Sequence, residues 1–488
     1  MNTQRHHDII VVGGGISGLS AALRLHRADR DVLLLERETQ VGGCMTTKLE
    51  RGYQLEQGPF NVIVRDEAFN ELIQSLVDRV PIVTPDDPKQ PRFVFRNGKV
   101  REVPSGPVAL FASPLLSIGG RLRLVRGMLV SAPAKSAEPT IHEAASRRIG
   151  EEAADTMVSA LVSGIYAGDS AKLSLKAVFK SAWEIDQSAR SPILAAMKAM
   201  KAKKKNAVDT QASETNKKPR GLISFTGGLG AFCAAMGEEL GEQLQCETAV
   251  DFICYDESEA LYHLHIREGL GETEELTCRR LVLAASKPVA SKLLRDLVPA
   301  ASEILDTIVS ESIIILNLGF TQKQLSHPVH GYGFLVPRNE PDFPLLGTLY
   351  AGSVFPASAP TDKTLLRVFM GGARDRDAVN RSDGELLNTA VETVRKYLGI
   401  TGEPELINIR RYRQAIPQMY AGHSEKIDRL ERETARLPRL HLVGNYLHGV
   451  SINDCVRVGT ETADIIVADT SEVTNTAVPI DLQTADYV

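Results

Sequence analysis

The chain has 488 residues, of which 43% are hydrophobic and 24% are charged, and this ordinary globular balance excludes a disordered or fibrous protein. Its 56 Lys and Arg residues against 61 Asp and Glu residues give a net charge of −5, which disfavours a dedicated nucleic-acid binder. The six cysteines are scattered and form no CxxC pair, so the sequence predicts reduced thiols and no structural zinc or other metal site.

The first forty residues alternate buried strands with a glycine turn and a helix. Residues 8–12 form a β-branched apolar run, which is typical of a strand buried on both faces. A glycine-rich turn follows at residues 13–18, then residues 19–25 have apolar side chains at helical spacing, and residues 31–36 form a second buried strand. This order predicts a Rossmann-like dinucleotide-binding unit.

The glycine turn has the pattern GxGxxG, formed by Gly13, Gly15 and Gly18. In such a turn the first glycine permits the tight bend, the second admits a pyrophosphate, and the third lets helix and strand pack closely. Glu36 comes 18 residues after Gly18 and could accept both ribose hydroxyls, which disfavours a 2′-phosphate and therefore NADP. This unit alone leaves FAD and NAD open, and the glycine-rich segment at residues 41–47 favours FAD.

The middle of the chain, from about residue 70 to residue 194, has a mostly helical pattern. It includes an apolar stretch at residues 103–133 that is interleaved with Arg121, Arg123 and Arg126. This stretch is either a monotopic membrane contact or a helical core with a solvated face. Residues 198–220 are basic and polar without apolar periodicity, which predicts a flexible linker.

The remainder of the chain alternates strands and helices. Beyond residue 221 the pattern predicts a helix at residues 227–236 and strands around residue 250 and at residues 262–266 and 281–285. Strands are predicted at residues 313–318, 365–370 and 440–445, and helices at residues 385–398 and 453–468. The polar tail from residue 470 is expected to fray.

Six short motifs in order resemble those of the oxygen-dependent protoporphyrinogen oxidase family, within the amine-oxidase-like flavoprotein superfamily. They cover nearly the whole chain: EQGP at residues 56–59, VSGIYAGD at 162–169, SFTGGL at 224–229, QAIPQ at 414–418 with GH at 422–423, GNY at 444–446 and GVSINDC at 449–455.

The resemblance implies a fold of the α/β and α+β classes that binds FAD. A Rossmann-like FAD-binding domain is expected from residues 1–75, 221–300 and 430–470, and a mixed-sheet substrate domain from residues 76–95 and 301–429. Residues 96–197 are expected to form a helical domain that could associate with a membrane, followed by the flexible linker at residues 198–220.

The resemblance also implies the residues that contact FAD. The glycine loop and helix start would hold the pyrophosphate, two residues the adenosine ribose, and one residue the adenine through its backbone; the others would approach the ribityl chain and the isoalloxazine. The residues in that order are Gly13, Gly14, Gly15, Ile16, Ser17 and Gly18; Glu36 and Arg37; Val250; Gly43, Cys44, Gly58, Pro59, Phe60 and Asn61; and Tyr412, Val450, Ser451 and Ile452.

The family's substrate is a reduced tetrapyrrole with carboxylate arms, and five residues match its binding site. Arg92 would bind a propionate, and Gly164 would face the macrocycle with its carbonyl. Leu335, Leu349 and Phe369 would sandwich the rings. By themselves these residues look like a solvated arginine and three core residues, so the assignment comes from the resemblance. No catalytic side chain is expected, because orientation and flavin electronics would supply the rate; His423 and Asp454 are expected to be structural.

The implied activity is the oxidation of protoporphyrinogen IX to protoporphyrin IX in three two-electron steps, with O2 as acceptor and H2O2 as product, in haem or chlorophyll biosynthesis. A homodimer, a peripheral membrane contact and transfer of the product to a metal chelatase are further expectations, with no nucleic-acid partner. Three alternatives stay open: a coproporphyrinogen III oxidase, an amine oxidase or carotenoid desaturase, and a non-enzymatic flavin-binding protein.

The expected location is the cytoplasm, with the inner face of the cell membrane as the peripheral alternative. The opening MNTQRHHD is short and polar, so no secretory or transit segment is predicted. No apolar run of 18 residues is present that would predict a membrane span.

Overall fold

The structure is a computed structural model that describes residues 5–104, 113–127, 138–188, 219, 221–269, 271, 273–327 and 329–469. Its strands are β1 Arg5–Val12, β2 Val32–Leu35, β3 Thr47–Glu50, β4 Tyr53–Glu56, β5 Val62–Ile63, β6 Ile82–Val83, β7 Arg92–Arg96, β8 Lys99–Glu102, β9 Leu222–Phe225, β10 Leu244–Gln245, β11 Thr248–Asp256, β12 Leu261–Glu268, β13 Thr273–Leu283, β14 Ser310–Thr321, β15 Gly333–Leu335, β16 Gly347–Leu349, β17 Lys363–Gly371, β18 Leu406–Pro417 and β19 Leu440–Leu442.

The helices include one π-helical turn, Ala154–Val158, which joins α5 to α6. They are α1 Ile16–Arg27, α2 Glu67–Leu76, α3 Ile118–Gly127, α4 Ile141–Ile149, α5 Glu151–Ala153, α6 Ser159–Tyr166, α7 Leu175–Val178, α8 Lys180–Ser188, α9 Leu229–Leu240, α10 Lys287–Leu294, α11 Pro299–Asp306, α12 Ala351–Val354, α13 Asp383–Leu398, α14 His423–Thr434 and α15 Ile452–Ala468.

The first sheet contains the predicted dinucleotide-binding unit. Its order is β10-β2-β1-β13-β12-β11, and β19 pairs with the carboxyl-terminal part of β13. The pairs β1–β2, β1–β13, β2–β10 and β13–β19 are parallel, whereas β12 is antiparallel to both β11 and β13. Helix α1 connects the parallel neighbours β1 and β2, as the Rossmann-like prediction requires.

Both faces of this sheet are covered, which explains why residues 9–12 of β1 and all of β2 are apolar. Ile9, Val11 and Leu34 pack with α1, α2, α9 and α15 on one side. Ile10 and Leu33 pack with α10, α11 and α14 on the other side. The alternation along each strand therefore divides its side chains between two separate cores.

The second sheet has the order β18-β14-β17-β16-β15-β7-β8, and β15 with β7 is its parallel pair. One face packs against α13, with Phe334, Val368 and Met370 in the core between them. On the opposite face Leu335, Leu349 and Phe369 are half-buried, whereas Leu365 and Arg367 are fully buried, so only part of this face is available for a site.

The helical pattern predicted from residue 70 is wrong for part of that region. Strands β6, β7 and β8 lie between residues 82 and 102, and β7 and β8 form an antiparallel hairpin in the second sheet. The hairpin turn contains Asn97 and Gly98, both with positive φ, a turn chemistry that favours a hairpin over a helix. The division into domains stays a prediction.

Three predicted segments fall wholly or partly outside the described residues. Of the apolar stretch at residues 103–133, the structure describes residues 103–104 and 113–127, which include α3. The predicted linker, except residue 219, and the tail from residue 470 lie outside. Within the described part of the chain, no helix is both long and apolar enough to cross a bilayer.

Candidate functional site: a dinucleotide cleft beside an apolar sheet face

The glycine turn after β1 forms an open cradle at the start of α1. A Cβ on Gly15 would have no atom within 4 Å, and a Cβ on Gly43 would meet only the Cα of Gly15, at 3.5 Å. The N–H of Gly42 donates to the carbonyl of Gly14 at 2.8 Å and holds the two glycine segments side by side. The space beside both segments is therefore one that a side chain would fill and a phosphate group can enter.

The other two glycines of the motif serve packing. Gly13 has a φ of +110°, and a Cβ there would lie 2.8 Å from the carbonyl oxygen of Ala284. A Cβ on Gly18 would collide with the carbonyl oxygen of Gly13, so helix and strand touch at this point. Ile16, Ser17 and Gly18 form the buried first turn of α1, in which no side chain caps the helix and no acidic residue occurs. Such a helix start favours an anion.

Glu36 lies where β2 ends and is buried against the glycine turn. Its Oε2 accepts a hydrogen bond from the N–H of Gly14 at 2.7 Å, and its Oε1 accepts one from the N–H of Glu38 at 2.9 Å. The N–H of Thr248 donates to the Glu36 carbonyl at 2.8 Å, which brings the start of β11, with the half-buried Val250, to the same end of the sheet. Arg37 is exposed, and its Nε donates to the Glu38 carboxylate at 3.0 Å.

The EQGP turn lies against the Gly43–Cys44 segment. A Cβ on Gly58 would collide with the carbonyl oxygen of Cys44, so this glycine allows the two segments to touch. Cys44 is exposed. Pro59 is half-buried and Phe60 is buried, with its ring centroid 5.3 Å from that of Phe355. The cradle at Gly15 therefore continues through Gly43 and Cys44 to the turn predicted to approach the flavin.

The start of α15 supplies another predicted wall. Ser451 caps the helix, since its Oγ accepts from the N–H of Asp454 at 3.2 Å and the Asp454 carboxylate accepts from the N–H of Ser451 at 3.2 Å. Val450 and Ile452 are half-buried beside it. Asp454 is thus a capping residue, and His423 donates from Nε2 to the carbonyl of Leu447 at 2.9 Å, so both residues have structural contacts.

Asn453 fixes the position of this helix start, a role that sequence reasoning missed. Its Oδ1 accepts from the N–H groups of Arg65 and Asp66 at 2.8 and 3.2 Å, and its Nδ2 donates to the carbonyl of Ile63 at 3.0 Å. The segment that follows the EQGP turn is thereby tied to α15. Its position inside GVSINDC was the one signal available in the sequence.

The strand register brings the predicted substrate residues together. Gly333 of β15 pairs with Arg92 of β7 on one side and with Leu349 of β16 on the other, and Leu349 pairs with Arg367 of β17. Directly paired residues in neighbouring strands share a face of the sheet. Arg92 and Leu349 therefore lie on one face although they are far apart in sequence.

The second row of the same face contains the other two predicted ring contacts. Leu335 pairs with Gly347, which pairs with Phe369. Each is two positions along its strand from a member of the first row, so it points to the same side. Leu335, Leu349 and Phe369 are half-buried, unlike their neighbours on the α13 side, and together form an apolar face.

Gly164 of α6 lies directly over this face. A Cβ at this position would be 2.5 Å from Cδ2 of Leu335, so only glycine allows the helix backbone to come this close. The Nε2 of Gln418 donates to the carbonyl of Tyr166 at 3.0 Å, and the N–H of Ala373 donates to the carbonyl of Ala167 at 2.7 Å. The VSGIYAGD and QAIPQ motifs are thus joined at one place.

Tyr332 connects Arg92, the predicted propionate-binding residue, with residues 56–61, which are called the flavin turn because they are predicted to approach the flavin. Sequence reasoning missed Tyr332. The Arg92 guanidinium lies 5.5 Å from the centroid of the Tyr332 ring, and Nδ2 of Asn61 donates to the Tyr332 hydroxyl at 2.8 Å. Burial raises the pKa of Tyr332, so the hydroxyl stays protonated. Arg92 and Tyr332 also line a small open cleft together with Gln90.

Tyr412 belongs to the same surroundings. It pairs with Ile313 of β14, which is paired on its other side with Gly371 of β17, two positions beyond Phe369. Burial raises the pKa of Tyr412, and the side chain of Arg410, whose guanidinium carbon lies 5.4 Å from the Tyr412 ring centroid, acts in the opposite direction. The hydroxyl is buried and donates no hydrogen bond to the described residues, which leaves a donor for a bound group.

Two further buried ionisable groups, Arg367 and Glu56, lie between the flavin turn and the sheet. Arg367 is fully buried, and its Nη2 donates to the carbonyls of Glu56 and Gly58 at 2.9 and 2.8 Å. Burial raises the pKa of the Glu56 carboxyl to about 7. The sequence signal for this buried charge is an arginine within the apolar strand at residues 365–370.

The geometry fits FAD: an open glycine cradle at a helix start, an acid beside it, and a continuous wall that leads to an apolar face. These features define a dinucleotide-binding oxidoreductase of the flavoprotein class. The model of the family "Flavin containing amine oxidoreductase" matches residues 16–467, and the chain belongs to that family. It is accordingly an FAD-dependent oxidoreductase.

Individual relatives agree with this assignment. The chain is 32% identical to protoporphyrinogen oxidase 1, chloroplastic, of Arabidopsis thaliana, over 93% of this chain and 87% of that protein. It is 29% identical to coproporphyrinogen III oxidase of Bacillus subtilis (strain 168), over 92% of this chain and 96% of that protein. The crystal structure of a protein from Exiguobacterium sp. 255-15 named as a candidate protoporphyrinogen oxidase has a TM-score of 0.78 at 24% identity, covering 96% of this chain and 100% of the other, which supports the fold.

Proposed function

We propose that this protein oxidises protoporphyrinogen IX to protoporphyrin IX in three two-electron steps, with O2 as the final acceptor and H2O2 as its product. The observation that carries the proposal is the sheet face on which Leu335, Leu349 and Phe369 lie in register with Arg92, under the close approach of Gly164. An apolar slot with a cation at its edge suits a tetrapyrrole with propionate arms.

Each residue has a separate part in binding. The half-buried apolar side chains exclude water from the ring system, and a backbone carbonyl at Gly164 can approach the macrocycle because no Cβ intervenes. Arg92 is exposed at the edge of the face, where its guanidinium lies beside the Tyr332 ring and can pair with a carboxylate. The substrate is thereby oriented rather than chemically activated.

When bound, FAD would supply the electron-accepting chemistry for each two-electron step. The chain's own contribution is to hold the substrate against the cofactor, exclude water and fix which carbon of the macrocycle is presented. The glycine cradle and α1 would hold the pyrophosphate, and Glu36 would accept from the ribose. Orientation of this kind accounts for a large part of many enzymatic rate enhancements.

The test is to mix the purified holoenzyme anaerobically with protoporphyrinogen IX and, separately, with coproporphyrinogen III. We expect protoporphyrinogen to bleach the flavin absorbance rapidly, and admission of O2 to restore it with porphyrin fluorescence. Faster bleaching by coproporphyrinogen, with coproporphyrin identified by mass, would assign the alternative activity, which the Bacillus subtilis relative makes a serious candidate. Flavin that stays oxidised with both compounds would refute a porphyrinogen oxidase.

Arg92→Met tests the propionate contact. A charge-assisted hydrogen bond contributes about 1.5–3 kcal/mol, so we expect KM for the porphyrinogen to rise roughly ten- to a hundredfold with kcat little changed. The control is Lys99→Met, which removes an exposed cation from the adjacent hairpin turn and should leave KM unchanged. Equal KM values in the two variants would show that Arg92 does not bind the porphyrinogen.

The same proposal includes a peripheral membrane contact, because a porphyrinogen and its product are poorly soluble. Two exposed apolar pairs support it: Ile118 and Leu122 are 77% and 66% exposed at i, i+4 positions of α3, and Leu161 and Ile165 are both 48% exposed at i, i+4 positions of α6. Gly164 of the proposed substrate site lies between the second pair. Exposed apolar side chains on a helix that contacts the proposed site, as α6 does through Gly164, suit monotopic binding.

A further inference from the structure

Arg367 is a buried cation between the Glu56–Gly58 turn and the sheet of the proposed substrate site. It occupies the row of β17 that faces Leu349 on one side and Asn317 of β14 on the other. Its side chain is the largest of the fully buried ones, with no exposed surface. An arginine in such a position needs a reason, since burying an ionised group is unfavourable unless its charge is matched.

Hydrogen bonds to the protein use only part of the donor capacity of the Arg367 guanidinium. Nε donates to Oδ1 of Asn317 at 3.1 Å, and Nη2 donates to the carbonyls of Glu56 and Gly58. The remaining nitrogen, Nη1, is buried with no hydrogen-bond partner in the described part of the chain. The side chain thus ties the flavin turn to the substrate sheet and retains unused donor capacity.

The charge also lacks a direct counter-ion. Burial lowers the pKa of Arg367 to about 10, so the guanidinium is charged at neutral pH. Glu56 is the carboxylate whose charge acts most strongly on Arg367. Its own hydrogen bonds go elsewhere: the carboxylate accepts from the N–H of Leu229 at 3.0 Å and from the Thr47 hydroxyl at 2.9 Å. Among the described residues, Arg367 donates to the backbone carbonyl of Glu56 and forms no salt bridge with its carboxylate.

Aromatic rings, rather than carboxylates, flank the guanidinium. The guanidinium carbon lies 5.3 Å from the ring centroid of Phe60 and 5.6 Å from that of Phe369, within the range of cation–π attraction. Phe60 belongs to the flavin turn and Phe369 to the substrate face. The charge is therefore held between the two parts of the site in surroundings of low polarity, where its field is weakly screened.

We infer that Arg367 is a positioning residue that makes this wall of the flavin site electropositive and so raises the reduction potential of bound FAD. When FAD takes up two electrons and one proton it gains a negative charge, and a buried positive charge nearby favours that product. Arg367 acts through its hold on the Glu56–Gly58 turn and through its charge. The inference deepens the proposed function and rests on its placement of the cofactor.

The experiment measures the midpoint potential of bound FAD at pH 8 by anaerobic reduction against a reference dye, without any porphyrinogen. For Arg367→Met we expect at least a tenfold loss in the equilibrium constant for two-electron reduction, or about 30 mV. Arg367→Lys keeps the charge and should stay within threefold of the wild type. Glu56→Gln removes the neighbouring negative charge and should shift the potential in the opposite direction.

The matched control is Lys363→Met, which removes a cation paired with Glu405 from the start of the same strand and should leave the potential unchanged. An Arg367→Met protein with stoichiometric FAD and an unshifted potential would overturn the inference. If this variant does not retain FAD, Arg367→Gln replaces it. If Arg367→Met and Arg367→Gln both lose FAD while Arg367→Lys retains it, the positive charge is required at the cofactor, which supports the inference. Loss of FAD from all three variants overturns the inference. The dye readout is independent of the substrate, so a failed porphyrinogen assay leaves it interpretable.

Discussion

Residues of one short motif have different physical roles at the single-residue scale. Gly13 and Gly18 are needed because Cβ atoms there would press on Ala284 and on Gly13 itself. Gly15 has no such neighbour, and as the residue before α1 it has a φ of −69° that any residue can adopt. What excludes a side chain at Gly15 is therefore the ligand and not the protein.

Gly15→Ala separates these two reasons. We expect the apoprotein to keep its unfolding free energy, because the new methyl group has no protein contact, while the dissociation constant for FAD rises at least tenfold. Titration calorimetry and denaturant unfolding measure the two quantities. Gly384→Ala, an equally open position in α13, is the control and should leave FAD affinity unchanged. Unchanged FAD affinity in Gly15→Ala would place the pyrophosphate elsewhere.

Glu56 makes the free energy of unfolding depend on pH near neutrality. Because burial raises its pKa from 4.5 to about 7, the folded protein holds a proton between these pH values that the unfolded chain releases. The stabilisation that this proton provides is complete below pH 4.5 and is lost as the pH rises through 7. The full effect amounts to about 3 kcal/mol, from 1.36 kcal/mol per pKa unit.

Glu56→Gln should remove this dependence. From pH 5 to pH 8 we expect the wild type to lose up to about 3 kcal/mol of unfolding free energy relative to the variant. Denaturant unfolding at both pH values measures it. Glu71→Gln, which changes an exposed carboxylate on α2, should follow the wild type. A constant difference across this range would show that Glu56 is ionised in the folded protein.

At the scale of elements, the start of α15 is positioned by a side chain and not by sequence proximity. Asn453 bonds three backbone groups of residues 63–66, while Gly459 lets α15 touch α1, since a Cβ there would collide with the carbonyl of Ser17. The two contacts hold the last helix against both the first helix and the flavin turn.

Asn453→Ala should loosen this junction. Removing the amide breaks three part-buried hydrogen bonds, at an expected total loss of about 1–3 kcal/mol in unfolding free energy. We also expect faster release of FAD on dilution, followed by flavin fluorescence. Asn388→Ala, at an exposed position of α13, is the control and should be neutral or slightly stabilising. Equal FAD release in both variants would mean that α15 is held by packing alone.

The two exposed apolar pairs on α3 and α6 allow a test of membrane contact at the scale of the whole molecule. We expect the double variant Ile118→Glu, Leu122→Glu to lose most of its co-sedimentation with lipid vesicles, because charged side chains cannot enter the interface. Leu49→Glu, at an apolar position 72% exposed on the β3–β4 hairpin, is the matched control. Equal sedimentation of wild type and double variant would exclude α3 as the contact.

Local patterns predicted much of the architecture, because the contacts behind them are close in sequence. The GxGxxG turn, the two buried strands around it and the terminal helix, observed at Ile452–Ala468, are confirmed. The hairpin of β7 and β8 was missed, since the apolar periodicity of a short edge hairpin is weak and its turn residues carried the signal. Motif order, and not periodicity, indicated the substrate residues.

By itself the sequence determined that a dinucleotide-binding unit opens the chain and that six flavoprotein motifs follow in order. Only the tertiary structure decided that Arg92, Leu335, Leu349 and Phe369 share one face, that Tyr332 joins Arg92 to Asn61, and that Arg367 is buried between two aromatic rings. The reason is physical: Arg92 and Asn61 reach this face through contacts with segments more than two hundred residues away, and the register of β15, β16 and β17 depends on pairing between strands, which no pattern within one strand encodes.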